Sequence, residues 1–460
     1  MIFDFIEINK NLKTPIYQQL YDNIKSAIEC GGLKKDSKLP SIRKLSSDLE
    51  VSKTTIENAY NQLCIEGYIK NIPQKGYYVE ADINLISVNK VNYSTKSEEN
   101  TKKIYKYDFG SRKIDYSSTL TDWKKAVKNI LNKEYLLKSY GEHQGEYVLR
   151  KALEKYSFSV RGVNSTAENI VIGAGTQSLL YILCGLIGIN KTIALEKGAF
   201  IHAEQIFKDF GYKIEYYISD DSGIDINSLS RIKPDFVLIN PNFNIINGMN
   251  TTINRRIELI NWCKENNCLI IEDDYNGELR YITRPVHCIQ SFDINNTVYI
   301  GSFSKILLPS VRIGYMVLPE KLNKLYSKRL SNYNQTASKT EQLALSEYIN
   351  QGLLEKHLRK LRRQYAEKSK IMISAINNIF KDRIYWVFNE TALNIMIKYK
   401  SELDTSKLYE LCESNQININ KSNSEGFDFI LSFSGIADEH IENGLKELNK
   451  LIETSMKKGL

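Results

Sequence analysis

The chain has 460 residues, 42% hydrophobic and 25% charged, with a formal net charge of +8. That length and balance fit a soluble globular protein of two or more domains. The absence of a bilayer-length apolar run and of a charged-then-apolar leader argues against a membrane or exported protein and predicts a cytoplasmic one. The mild positive charge suits an anionic partner, and seven cysteines without a CxxC pair or metal-ligand spacing read as reduced thiols with no metal site.

Residues from Pro15 to about Val79 read as a compact unit. Ile16, Leu20, Ile24 and Ile28 recur at helical spacing, which predicts an amphipathic helix ending near Gly31-Gly32. Ser41 is placed to cap a short helix from Ile42 to Leu49. Ser52 is placed to cap a third, from Lys53 to Glu66, with Ile56, Tyr60 and Leu63 on its apolar face. Gly67-Tyr68-Ile69 then opens a hairpin that turns at Gln74-Lys75-Gly76 and returns through Tyr77-Tyr78-Val79. A short helix, a tight turn and a second helix led by Lys53, Thr54 and Thr55 is a helix-turn-helix arrangement. The leading residues can reach base edges, and the N–H groups of the helix start can bond phosphate. The hairpin would be a wing with Lys75 and Gly76 at its tip. Spacing alone leaves open a small helical domain that binds protein.

The residues themselves resemble the DNA-binding domain of the GntR family. Leu39-Pro40-Ser41-Ile42-Arg43-Lys44-Leu45 matches its "LPSxRxL" stretch, and Val51-Ser52-Lys53-Thr54-Thr55-Ile56 matches "VSRTTV". Gly67-Tyr68 and Gly76-Tyr77-Tyr78-Val79 match its helix end and wing. The resemblance implies that Arg43, Lys53, Thr54, Thr55 and Gly76 lie at double-stranded DNA. Lys53 stands where the family usually has arginine, which removes bidentate guanine recognition. Glu57 stands where some relatives carry a basic residue.

From about Glu80 to Lys106 the chain is polar, and Asn92 to Lys103 has no periodic apolar face, so this segment reads as a connector. The expected division is a DNA-binding domain over 1–80, a linker over 81–106 and an effector domain over 107–460.

Beyond Tyr107, β-rich runs alternate with helical stretches. Ile170-Val171-Ile172 precedes Gly173-Ala174-Gly175-Thr176-Gln177, and Thr192 to Leu195 ends at Glu196-Lys197-Gly198-Ala199-Phe200. Phe236 to Ile239 ends at Asn240-Pro241. Cys268 to Ile271 ends at Glu272-Asp273-Asp274-Tyr275, and Val298 to Ile300 ends at Gly301-Ser302-Phe303-Ser304-Lys305 with Arg312 beyond. Such alternation predicts an α/β fold with a mostly parallel sheet, whose ligands gather at the carboxyl ends of the strands. Those ends hold complementary chemistry. Thr176 and Gln177 open a helix that favours phosphate, and Ser302, Ser304 and Arg312 add further phosphate contacts. Phe200 offers a flat ring, Asp273 a carboxylate, Tyr275 a phenol and Lys305 an amine that can meet a carbonyl carbon. Together these answer the parts of pyridoxal 5'-phosphate (PLP), in which a carboxylate keeps the ring nitrogen protonated.

This part of the chain resembles a fold-type I aminotransferase domain, with a mostly parallel central sheet and a small C-terminal α/β subdomain. Tyr140-Gly141-Glu142-His143-Gln144-Gly145 matches its "YGDPxG", and Arg150-Lys151-Ala152-Leu153 continues the match. A winged helix followed by such a domain resembles the MocR subfamily of GntR-type bacterial regulators. The resemblance implies a Schiff base between Lys305 and PLP, a ring-nitrogen contact from Asp273 and a 3'-oxygen contact from Tyr275. It implies phosphate contacts from Thr176, Gln177, Ser302, Ser304 and Arg312, Phe200 stacked on the ring, and a homodimer with the site at the subunit interface.

Three positions depart from the aminotransferase pattern. Ile245 falls where those enzymes place an asparagine near the 3'-oxygen, and Phe200 lacks the usual tyrosine hydroxyl. In Phe429-Ile430-Leu431-Ser432-Phe433-Ser434, Ile430 falls where an arginine usually clamps the substrate carboxylate, so ordinary transamination is expected to be impaired. The sequence therefore predicts a transcriptional regulator that binds an operator and senses PLP, an amino acid or an amine. The rivals are a working aminotransferase with a DNA-binding domain, and a DNA-binding protein whose large domain has lost its cofactor.

Overall fold

The computed structural model describes residues 14–82, 105–110, 120–243, 250–275, 277–282, 286–389, 393–422 and 426–456, with a few isolated positions besides. The chain divides into two compact units, 1–101 and 102–460. Most of the connector expected over 81–106 lies outside the described residues.

In the first unit the apolar periodicity becomes helix α1 (Ile16–Glu29), whose Leu20, Ile24 and Ile28 are buried. Helix α2 (Ile42–Asp48) starts at Ser41, whose hydroxyl accepts from the Lys44 amide at 3.3 Å. Helix α3 (Lys53–Ile65) starts at Ser52, whose hydroxyl accepts from the Thr55 amide at 3.1 Å. Each cap satisfies an amide that the first helical turn cannot. Ile56, Tyr60 and Leu63 are fully buried, and Tyr60 donates to the Pro40 carbonyl at 3.0 Å, tying α3 to the entry of α2. Full burial of one such aliphatic side chain contributes roughly 1.5–3 kcal/mol. Gly67, at φ +76°, lets the chain leave α3. The hairpin then pairs β1 (Ile69–Ile72) with β2 (Gly76–Val79), Ile69 opposite Val79 and Ile72 opposite Gly76.

The second unit is built on a seven-stranded sheet. Its strands are β3 (Ile170–Gly173), β4 (Thr192–Glu196), β5 (Lys213–Tyr217), β6 (Phe236–Ile239), β7 (Leu269–Asp274), β8 (Thr297–Ser302) and β9 (Gly314–Val317). Their order across the sheet is β3-β9-β8-β7-β6-β4-β5. All neighbours are parallel except β9, which runs antiparallel to both β8 and β3. Strands β6, β8 and β9 are buried along their whole length, as expected for a sheet covered on both faces. A second, four-stranded antiparallel sheet contains β10 (Ile384–Asn389), β11 (Asn394–Tyr399), β12 (Asn420–Lys421) and β13 (Phe429–Ser432), in the order β10-β11-β13-β12. The helix Leu353–Phe380 precedes this sheet and the helix Asp438–Ser455 closes the described chain. No described helix is long and apolar enough to cross a membrane.

Two strand ends reach further than the sequence suggests. Asp273 and Asp274 belong to β7 and pair with Ile300 and Gly301, and β8 runs on through Ser302. The parallel ladder carries polar residues to its rim because their backbones still bond to a neighbour there.

Candidate functional site

The strand ends and the four-stranded sheet enclose a cavity of about 550 Å³, a size typical of small-molecule sites. Every residue singled out at the strand ends lines it: Thr176, Gln177, Phe200, Asp273, Tyr275, Ser302, Ser304, Lys305 and Arg312. The Lys305 ammonium lies 4.4 Å from the centre of the Tyr275 ring. The Ser302 and Ser304 hydroxyls are 2.8 Å apart. Gly175 stands at φ +87° just before the helix Thr176–Ile187, and a Cβ there would come within 2.9 Å of the Arg312 guanidinium. Backbone and cation meet closely because β9 turns back beside β3, so that Gly314 pairs with Gly173.

Asp273 is buried, and its Oδ1 has no hydrogen-bond partner among the described residues. Burial, and then the neighbouring charge of Asp274, push its carboxyl up to about 7, against the opposing pull of Lys305. A buried acceptor left unmade costs about 1–3 kcal/mol, so this one is placed to receive a donor or cation from a ligand.

Behind the cavity lies a polar network that sequence reasoning did not find. The Asp274 carboxylate accepts from Arg161 Nε at 2.6 Å, Asn242 Nδ2 at 2.8 Å, the Gly277 amide at 3.0 Å and the Tyr299 hydroxyl at 3.0 Å. Arg161 and Asp274 are both almost completely buried. The network anchors the end of β7, and with it the direction of Asp273. The Asp-Asp pair was its one legible sign. The "YGDPxG"-like turn serves architecture: Arg150 donates to the Gly145 carbonyl at 2.8 Å and to Glu142 at 2.8 Å.

The far wall comes from Phe243 and the four-stranded sheet, including Ile430 and Ser432, with Ser434 just beyond the last strand. Ile430 is thus at the cavity, whereas Ile245 lies outside the described residues. The helix Leu353–Phe380 also carries a basic run, from His357 to Arg363. His357, Leu358 and Leu361 are buried there, His357 Nε2 lies 2.6 Å from the Ile306 carbonyl, and Arg362 donates twice to the Glu278 carbonyl.

In the first unit Arg43, Ser52, Lys53, Thr54 and Lys75 are exposed, while Thr55 and Gly76 are partly covered. The α3 start thus presents Lys53 and Thr54 to solvent. The hairpin tip carries Lys75, with Gly76 at φ +101°.

A helix-turn-helix unit with a wing, joined in one chain to an aminotransferase-like α/β unit around a strand-end cavity, defines a class of bacterial regulator. Residues 16–79 match the family of bacterial regulatory proteins, gntR family. The chain is 34% identical over 455 residues to the uncharacterized HTH-type transcriptional regulator YdeL of Bacillus subtilis, covering 96% of this chain and 97% of that protein. It is 25% identical to the probable rhizopine catabolism regulatory protein MocR of Rhizobium meliloti, covering 96% and 94%. Among solved structures, kynurenine aminotransferase of Pyrococcus horikoshii superposes with a TM-score of 0.67 at 22% identity, over 78% of this chain and 93% of that one. The protein belongs to the MocR-type subfamily of GntR transcriptional regulators, and its large unit has the aminotransferase fold.

Proposed function

We propose that this regulator binds PLP in the strand-end cavity and that occupancy of the cavity sets its affinity for a DNA operator. The observation that carries the reading is the buried Asp273 Oδ1, without a hydrogen-bond partner among the described residues, in the same cavity as Lys305 and the Gly175–Arg312 cradle. These groups fit the cofactor. Arg312, Thr176, Gln177, Ser302 and Ser304 would hold its phosphate, Asp273 its ring nitrogen, Tyr275 its 3'-oxygen and Phe200 its ring face, with Lys305 as the covalent anchor. When bound, PLP supplies an electrophilic carbon that takes up primary amines and a ring that withdraws electrons. The protein orients that ring, and Asp273 holds charge or a proton at its nitrogen. Ile430 supports regulation over turnover, because an apolar side chain offers no salt bridge to orient a substrate carboxylate.

The DNA-binding domain spans 1–80, the linker 81–106 and the effector domain 107–460. Arg43, Ser52, Lys53, Thr54, Thr55, Lys75 and Gly76 form the DNA contact surface. The protein acts in the cytoplasm as a homodimer on double-stranded DNA. A ligand shifts operator affinity only to the extent that it binds one arrangement of the protein better than another.

The test selects a DNA site from a random pool with the full-length protein and measures its affinity with and without PLP. Operator affinity should change by about fivefold or more, and borohydride should fix the label on Lys305. Operator affinity indifferent to PLP and to amines, together with fast turnover of amino acids, would overturn the proposal in favour of an enzyme.

A further inference from the structure

The two walls of the cavity differ in charge. The strand-end wall carries Lys305, Arg312 and Asp273, and His202 stands just after Phe200. The opposite wall is one face of the four-stranded sheet. Asn394 pairs with Ser432, Met396 pairs with Ile430, and Asn420 also pairs with Ile430, so these five side chains share that face. None of them is ionisable. Ile430 packs, together with Phe243, against the buried apolar cluster of Val387, Met396 and Phe427.

The nearby cations of this sheet are committed elsewhere. Lys398 bonds to Asp428 at 2.9 Å. Lys421 borders the cavity, but its register partner is Phe429, which places it on the alternate face, and its ammonium sits 5.2 Å above the Tyr409 ring. Among the described residues, a carboxylate brought against Ile430 would be desolvated without a paired cation, whereas a hydroxyl or amide would meet Asn394, Asn420, whose Nδ2 already donates to the Gly110 carbonyl at 3.1 Å, and Ser432, whose hydroxyl lies 3.0 Å from that of Ser434.

We infer that the effector of this cavity is a primary amine whose other end is uncharged: a short apolar body bearing a hydroxyl or amide, not an α-amino acid. The inference rests on the proposed cofactor reading. The amine end lies toward Lys305, the body against Met396 and Ile430, and the neutral polar end against the asparagines and serines of the far wall.

The experiment uses full-length protein loaded with PLP and matched pairs in which a hydroxymethyl group replaces the carboxylate: alaninol against alanine, and phenylalaninol against phenylalanine. Binding is read from the change in visible absorbance and, in parallel, from the anisotropy of labelled operator DNA. At least one amino alcohol should half-saturate both signals at a concentration lower by about tenfold or more than its parent amino acid, and Ile430→Arg should reverse the order. The ratio in the parent protein decides the matter even if the variant misfolds. Equal or tighter binding of the amino acids, or no response to either class, would overturn the inference while a visible band and label on Lys305 still stood for the cofactor. Failure to take up PLP at all would instead remove the cofactor reading, and this inference with it.

Discussion

Replacing Asp274 by alanine tests the network that fixes the end of β7. The substitution removes the acceptor of Arg161 Nε, Asn242 Nδ2, the Gly277 amide and the Tyr299 hydroxyl. It leaves the Arg161 guanidinium buried without its carboxylate. Removing one partner of a buried ion pair costs roughly 3–5 kcal/mol, because the other charge keeps its desolvation penalty. A unit of about 360 residues has an unfolding entropy of roughly 0.75 kcal/mol/K, so the melting temperature should fall by about 4–7 °C. Calorimetry on cofactor-free protein measures this. Lys324→Ala serves as control, since Lys324 and Glu320 pair at the surface with both side chains largely exposed, and it should leave the melting temperature unchanged. An Asp274→Ala protein melting within about 1 °C of the parent would refute the reasoning.

Further outcomes follow from the same geometry. In the folded protein Asp273 and Glu272 keep protons up to about 7, chiefly because they are buried; unfolded, such carboxyls lose them near about 4. The folded state then binds more protons across that window, so cofactor-free protein should lose stability as pH rises from about 4 to about 7. Asp273→Asn should flatten this slope in urea unfolding series, and an unchanged slope would contradict the assignment. Gly175→Ala puts a Cβ at a strained φ of +87° and 2.9 Å from Arg312. PLP titration by absorbance should show affinity weakened by about tenfold or more, and unaltered affinity would exclude the cradle. Arg43→Ala should lose discrimination between operator and random DNA, whereas Lys75→Ala should weaken both. Equal losses in Arg43→Ala over a salt series would contradict its base-reading role.

The sequence made the first unit legible because its signals are local. Ser41 and Ser52 cap the helices they precede, and Ile56, Tyr60 and Leu63 face inward as the spacing demands. The strand ends were legible for a similar reason, since each apolar run stops at its own polar residues. The rest depends on distance along the chain. Strand β5 is an edge strand in which Lys213 and Tyr216 are exposed, so it lacks a continuous apolar run. Strand β9 is four residues long and follows Arg312 so closely that it reads as part of that motif. The neutral far wall exists only through the cross-strand register of Asn394, Met396, Asn420 and Ile430. Arg161 and Asp274 meet across more than a hundred positions, with no periodicity to announce it.

The antiparallel strand β9 also sets a timetable for synthesis. Strand β3 is an edge of the seven-stranded sheet, and its neighbour in that sheet is β9: Gly173 waits for Gly314, and Ile170 for Val317. Closing so long a loop must precede any reward from the pairing, which makes this step slow. The winged-helix unit, by contrast, is complete within the first 101 residues and folds from near neighbours as it leaves the ribosome. A chain interrupted between Lys102 and Gly314 therefore carries its helix-turn-helix but neither β9 nor the groups beyond it that line the cavity. Premature termination in that interval yields a winged-helix fragment without a complete cavity.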